Sequence, residues 1–532
     1  MAESANAQIA AAMDWKPAIN PWMIAGTVML ATFMEVLDTS IANVALPHIA
    51  GSLSASVDES TWVLTSYLVS NAIVLPLTGW FSSLFGRKRF FMVCVAIFTT
   101  SSFLCGLAPT LPALVTLRVI QGAGGGGLQP VSQAILVESF ERKQQGMAMA
   151  VYGMGVVVAP IVGPTLGGWI TDNFSWRWIF FINIPIGILA LLMTSTLISD
   201  PLYLVRKHLS EMSIDFMGLG LLSLGLGFLQ VMLDKGQRDD WFGSHFIVVC
   251  AMLAAIGLVG VVVWELRQKE PVVDLRLLKD KNFAVSTFTM FALGVVLYGT
   301  TVLLPVLVQT LLGYTAELAG LVLSPGAVIT MLAMPLVGWL LGRYEPRWLV
   351  VLGLGILATG MFQLSGINLD VSFWILVGIW CISRLGLAFL FVPVNVMAFY
   401  FIPREKTNNA TGLINVARNI GGSVGISLVT TMQSRLAQAH QNILVSHLTP
   451  YSSAYRSMMA GASAMFQAAG SSATEASARA RGLIYSELLR QSAILSYVDI
   501  FWLLAMTCLA MIPLMFLMKK VRPGQGAAVT AH

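Results

Sequence analysis

Apolar stretches of twenty or more residues follow one another along almost the whole of this chain, and they fix its solvent before anything else. A helix rises 1.5 Å per residue, so about 20 residues cover the ~30 Å hydrocarbon core of a bilayer. The first stretch runs from Trp22 to about Leu46 and is long enough to cross. Fourteen spans are expected, near 22–46, 60–84, 90–108, 111–136, 146–170, 177–198, 214–233, 244–264, 283–310, 316–342, 347–366, 372–398, 411–434 and 495–518. Of the 532 residues only 11% are charged and 56% are hydrophobic, and the mean hydropathy is +0.77. A soluble globular chain is about a quarter charged, so an all-α polytopic membrane protein is the expected fold class.

Charge sets the orientation. With a cytoplasmic N-terminus, the inward connections hold 20 bases and the short outward ones hold only Arg177, Lys235 and Arg238. That bias places both termini inside. The inward set is Lys16, Arg87–Arg89, Arg142, Lys143, Arg206, Lys207, Arg267, Lys269, Arg276, Lys279, Lys281, Arg343, Arg347, Arg404, Lys406, Lys519, Lys520 and Arg522. The polar start offers no small-residue cleavage site, so the first apolar run reads as a retained span. The five cysteines lie unpaired in apolar runs and imply neither a disulfide framework nor a metal site.

The chain also repeats itself. GWFSSLFGRKR (Gly79–Arg89) returns as GWLLGRYEPR (Gly338–Arg347), and Arg118 in span 4 returns as Arg384 in span 12. Both landmarks recur after about 260 residues, which aligns spans 1–6 with spans 9–14 and leaves spans 7 and 8 as an insert. Parallel duplicated six-helix halves are a transporter architecture with the substrate site between them. The expected division is a tail 1–21, a six-helix bundle 22–198, two inserted helices 199–270, a second bundle 271–518 and a tail 519–532. An outward loop of residues 435–493 interrupts the second bundle. It reads either as a plain mobile loop or as a docking surface for a periplasmic protein, and Glu475–Gln491 could run as one helix into the last span.

Two acids, Glu35 and Asp38, sit near the middle of the first span. A charge at that depth costs roughly 2.5–3.5 kcal/mol on insertion scales and is usually retained for a task. Glu35, Thr39 and Asn43 repeat at i, i+4, i+8, and Asp38 is three residues from Glu35, so one broad helix face is polar. Such a face suits a wet cavity and a proton-handling site; carboxylates that merely join helices are the alternative. Arg118 lies at a similar depth in span 4 and is the expected partner of Asp38. Pairing favours the charged carboxylate and burial the neutral one, a balance from which a site can load and release protons. Structural pairing alone would also satisfy both charges.

Other motifs carry less. G-x-G-x-x-G at Gly122–Gly127 has no strand before it, and GGSVG at Gly421–Gly425 has no strand–turn–helix context, so neither signals an enzyme. No Walker A sequence or H-E-x-x-H is present, and nothing calls for nucleic acid. In span 5, Pro160 and Pro164 free backbone carbonyls, while Gly163 and Gly167 make a small face that lets helices approach and slide.

LDTSIANVALP, GWFSSLFGRKR, LRVIQGAGGGG, the Gly/Pro run of span 5 and WRWIFFINIPIG (Trp176–Gly187) together resemble the major facilitator superfamily, and within it the fourteen-helix drug/proton antiporters of EmrB/QacA type. The resemblance covers nearly the whole chain. It implies a proton-driven multidrug efflux permease of the bacterial inner membrane, not an enzyme, with the proton gradient in place of any cofactor. Asp38, assisted by Glu35, would be the coupling acid and Arg118 its basic partner. Gly79, Gly86 and Arg87 would form the cytoplasmic gate, and Pro160, Gly163, Pro164 and Gly167 the antiporter run. The gate motif usually has an acid at the position of Ser83, so the charge contact it makes must here be missing or rebuilt.

The loop 435–493 and SRLAQAHQNILVSHLTPYS (Ser434–Ser452) resemble the tripartite branch, which works with a membrane-fusion adaptor and an outer-membrane channel. Asn43, Gln121, Gln129, Arg384 and Asn395 are the candidate contacts to drug-like substrates. Spans 9–13 hold Arg384 and Arg418 but no acid well inside, so Arg384 is expected to favour neutral or weakly acidic amphipathic compounds over dications. A stand-alone metabolite exporter, a proton symporter and a channel are the alternatives.

Overall fold

The computed structural model of the chain describes residues 19–200, 215–268, 271, 273–403 and 406–520. Lys16, Arg206, Lys207, Lys269, Arg404, Arg522 and most of both expected tails lie outside the described residues. The described residues are helical, without strands. In chain order the helices are α1 Pro21–Ser52, α2 Trp62–Phe85, α3 Arg87–Leu107, α4 Leu111–Ser139, α5 Arg142–Asn173, α6 Trp178–Leu197, α7 Phe216–Lys235, α8 His245–Glu265, α9 Lys281–Thr310, α10 Ala316–Leu340, α11 Pro346–Leu364, α12 Phe373–Phe399, α13 Thr407–His447, α14 Ser453–Ala468 and α15 Ala473–Met515.

Local chemistry starts and stops them. Asn20 caps α1 by accepting from the Trp22 amide at 3.0 Å, with Pro21 already at a helical φ. Asp280 does the same for α9 through the Phe283 amide at 2.9 Å. Between α2 and α3 the chain turns at Gly86, whose φ of 80° is cheap only for glycine.

Twelve of the described helices are long and apolar enough to cross a membrane, two fewer than the fourteen spans expected. The two that fall short are α4 and α13. Both bury their polar side chains against protein: Arg118, Gln121, Gln129 and Gln133 on α4, and Asn408, Asn415 and Arg418 on α13. A helix surrounded by other helices need not be apolar all round, so both fall below a span's apolarity although the expected spans 111–136 and 411–434 lie on them. Outer helices behave oppositely. On α8, Val249, Met252, Ile256, Val259 and Val263 are all exposed. Trp22, Trp62, Trp178, Trp348 and Trp374 stand exposed near helix ends, the level of a membrane interface.

The packing repeats. In the N-terminal half α1 lies on α5, α3 on α4, α2 on α4 and α6 on α3. In the C-terminal half α9 lies on α13, α11 on α12, α10 on α12 and α15 on α11. The halves meet along α5 and α10, where Gly146 faces Gly338 and Gly153 faces Met334. They meet again where α2 crosses α13, with Gly79 under Asn409 and Gly412 under Leu75. Further along that seam α7 stands between them: Gly227 faces Val69 and Ile73, and the Gln230 side chain accepts from Ser423 at 2.8 Å.

Residues 435–493 are helical for most of their length rather than a plain loop. At 1.5 Å per residue, α13 with 41 residues and α15 with 43 are each roughly 60 Å long, about twice the hydrocarbon core. Both overshoot at the Ser52 end of the bundle. There α14 folds back on α15, Gln441 donates to Tyr485 at 3.3 Å, and Arg490 donates to the Leu311 carbonyl at 3.2 Å.

Candidate functional site

Asp38 finds its expected partner. Arg118 Nη1 donates to Asp38 Oδ2 at 2.6 Å, and both side chains are buried. Asp38 Oδ1 accepts from Gln121 at 3.0 Å and from Asn183 at 2.7 Å. Asn183 also donates to Ser102 at 3.0 Å, tying the site to α3. Arg118 is held in turn by the Val63 carbonyl at 3.0 Å, by Gln121 Oε1 at 2.9 Å and by the Tyr67 ring, 4.3 Å from its Cζ. Breaking a pair like this from one side leaves an uncompensated buried charge, which costs about 3–5 kcal/mol.

Glycine makes the pair possible. A Cβ at Gly122, Gly125 or Gly126 would collide with α2, and one at Gly124 or Gly127 with α3. The run therefore lets α4 sit against both neighbours at once, which brings Arg118 within reach of α1. The glycines here serve helix packing, and the G-x-G-x-x-G lies within a helix with no strand before it.

Glu35 forms a second cluster. Gln129 Nε2 donates to Glu35 Oε2 at 2.5 Å, while Asn71 and Tyr67 reach Oε1 at 3.3 and 3.4 Å. Tyr67 joins the clusters, since its ring also carries Arg118. From the other half, Arg418 Nη2 donates to Gln129 Oε1, and one turn away Asn415 donates to Gln133 at 2.8 Å. The sequence pairs Arg418 with nothing because its partner lies on the opposite half.

The remaining candidates scatter. Gln121 and Gln129 are spent on the two acids. Asn43 is exposed and apart from both clusters. Asn395 is buried and donates to the Phe391 carbonyl of its own helix at 2.7 Å. Arg384 lies over the Trp380 ring at 3.8 Å, with the Thr300 and Thr301 hydroxyls at 3.3 Å. Neutral groups thus surround a buried guanidinium.

In the last turn of α2, Ser83 donates to the Trp80 carbonyl at 2.7 Å. Arg87 is buried in an ion pair with Glu138 of α4, and the contact to the C-terminal half falls to Gly79 against Asn409. Position 83 makes no charge contact across the seam, where Gly79 meets Asn409 by close packing instead. In α5, Pro164 has no N–H to offer the Pro160 carbonyl, and Ser40 of α1 donates to it at 3.1 Å. A Cβ at Gly163 would strike Ser40, and Gly167 lies against Ile41.

Residues 28–426 match the family model of the Major Facilitator Superfamily. The chain is 38% identical to the multidrug export protein EmrB of Haemophilus influenzae, over 92% of this chain and 94% of that protein. It is 36% identical to the fatty acid resistance protein FarB of Neisseria gonorrhoeae, over 92% and 94%. In fold it is similar to the proton:xylose symporter XylE, with a TM-score of 0.59 at 14% identity over 93% of this chain and 95% of that one.

Proposed function

This chain belongs to the Major Facilitator Superfamily as an EmrB-type multidrug efflux permease, a multi-pass transporter and not an enzyme, and from that premise we propose that protons drive it through Asp38, assisted by Glu35. One observation carries the reading: the buried Arg118–Asp38 pair, joined by side chains from α3, α4 and α6. Three side-chain donors converge on Asp38. A proton on it removes the charge that Arg118 and Asn183 answer, and the helices it joins are released to rearrange. Substrate entering from the cytoplasm or the inner leaflet then competes with that proton and is carried outward. Coupling of this kind needs only that the two states bind proton and substrate differently.

In this reading fourteen helices span the bacterial inner membrane, with both termini cytoplasmic. The overshooting α13 and α15 with α14 make the surface for a periplasmic adaptor that leads to an outer-membrane channel. Arg384, ringed by neutral groups, favours neutral or weakly acidic amphipathic substrates, and a relative named for fatty acid resistance supports that class.

The test is drug accumulation in cells with and without a protonophore. The wild type is expected to keep accumulation low until the protonophore is added. Asp38→Asn should accumulate drug to the protonophore-treated level throughout. Equal export by the two proteins would remove Asp38 as the coupling acid.

A further inference from the structure

We infer that Gln129 is the positioning residue by which the charge on Glu35 takes hold of the C-terminal half. The inference rests on the proton-driven reading and deepens it. The Gln129 side chain is buried and used at both ends: its nitrogen donates to Glu35 Oε2 at 2.5 Å, and its oxygen accepts from Arg418 Nη2. A carboxylate on α1, an amide on α4 and a guanidinium on α13 thus stand in one line across the seam between the halves. Arg418 is 2% exposed, and no carboxylate forms a salt bridge with it among the described residues. Its Nε has no hydrogen-bond partner there, and Phe391 lies 5.9 Å from its Cζ. Glu35 and Tyr152 face it from the N-terminal half, and Gln129 is the side chain hydrogen-bonded to both Glu35 and Arg418.

Charge at both ends polarises the amide in the same sense, so the two bonds strengthen each other. Each is charge-assisted, and such bonds are roughly twice as strong as neutral ones. When Glu35 takes a proton, the line loses its negative end and both bonds weaken together. The other contacts across the seam are largely steric, such as Gly146 on Gly338 and Gly153 on Met334, and do not sense charge. Asn415 on Gln133 is polar but neutral. The titratable and charged groups around Glu35 are Asp38 on its own helix, Tyr67 on α2, Arg118 on α4, Tyr152 on α5 and Arg418 on α13. Arg418 alone of these belongs to the other half. Gln129 therefore makes protonation of an N-terminal acid legible to the C-terminal half.

The test uses full-length protein in lipid nanodiscs, with the native cysteines replaced by alanine and spin labels at Ser52→Cys and Asp370→Cys, both exposed at the same end of different halves. The distance distribution is measured from acid to alkaline pH. The parent should shift between two populations. Gln129→Met should reduce the pH-driven change in their ratio by on the order of tenfold. Arg418→Gln, which breaks the same line from the other half, should do likewise and guards against misfolding of the first variant. In a Glu35→Gln background, Gln129→Met should reduce the pH-driven change no further, whereas a merely structural glutamine would act additively. A parent shift that persists unchanged in both variants, or additive effects with Glu35→Gln, would overturn the inference and leave the proton-driven reading standing. A parent with no pH response would sink that reading itself.

Discussion

Asp38 accepts from three side chains on two helices, so its buried oxygens are satisfied away from water. Hydrogen bonds to charged groups contribute about 1.5–3 kcal/mol each. Asn183→Ala removes one of them and also the donation to Ser102, which keeps its bond to the Phe180 carbonyl. The initial rate of drug export from cells should therefore fall at least about tenfold at equal protein level, and an unchanged rate would show that Asn183 only fills space. Glu35, Asp38 and Arg118 were legible as a constellation because helix period and depth along a span can be read from residue number. Asn183 was visible only as part of the motif WRWIFFINIPIG, since nothing in its own stretch says that it points at α1. Arg418 was harder still: its partner sits on the other half, 289 residues away.

Helices are where reading by apolarity reaches its limit. α8, bathed on most sides by lipid, announces itself, while α4 and α13 carry glutamines, asparagines and arginines because protein surrounds them. The same limit hides α14 and the part of α13 beyond the bundle, whose Ala-, Ser- and Gln-rich sequence fits a loop as well as a helix, whereas the extension of α15 over Glu475–Gln491 was expected as a helix. Caps decide it there: Ser452 accepts from the Tyr455 amide and Ser472 from that of Glu475. If these helices dock an adaptor, replacing Ser453–Ala468 by a short flexible linker should abolish drug resistance of cells. Transport by the same variant in reconstituted vesicles should remain within about twofold of wild type, because α14 contributes no buried residue to the bundle. Loss of both activities would assign α14 to folding instead.

The duplicated plan was legible as a whole from two landmarks, and α1–α5, α3–α4 and α2–α4 packing recurs as α9–α13, α11–α12 and α10–α12. The chemistry does not recur with it. Arg118 faces an acid, whereas its counterpart Arg384 faces hydroxyls and an indole. Duplication preserves packing faces, while each half is free to change the few polar residues inside it. In the proposed mechanism, proton chemistry accordingly sits in the N-terminal half, and the C-terminal half meets it at the seam. The most direct measurement is uphill drug uptake by reconstituted vesicles under an imposed proton gradient, comparing wild type with the double variant Glu35→Gln, Asp38→Asn. Wild type should accumulate drug against its gradient, and the double variant should only let it equilibrate. Uphill accumulation by the double variant would contradict the account.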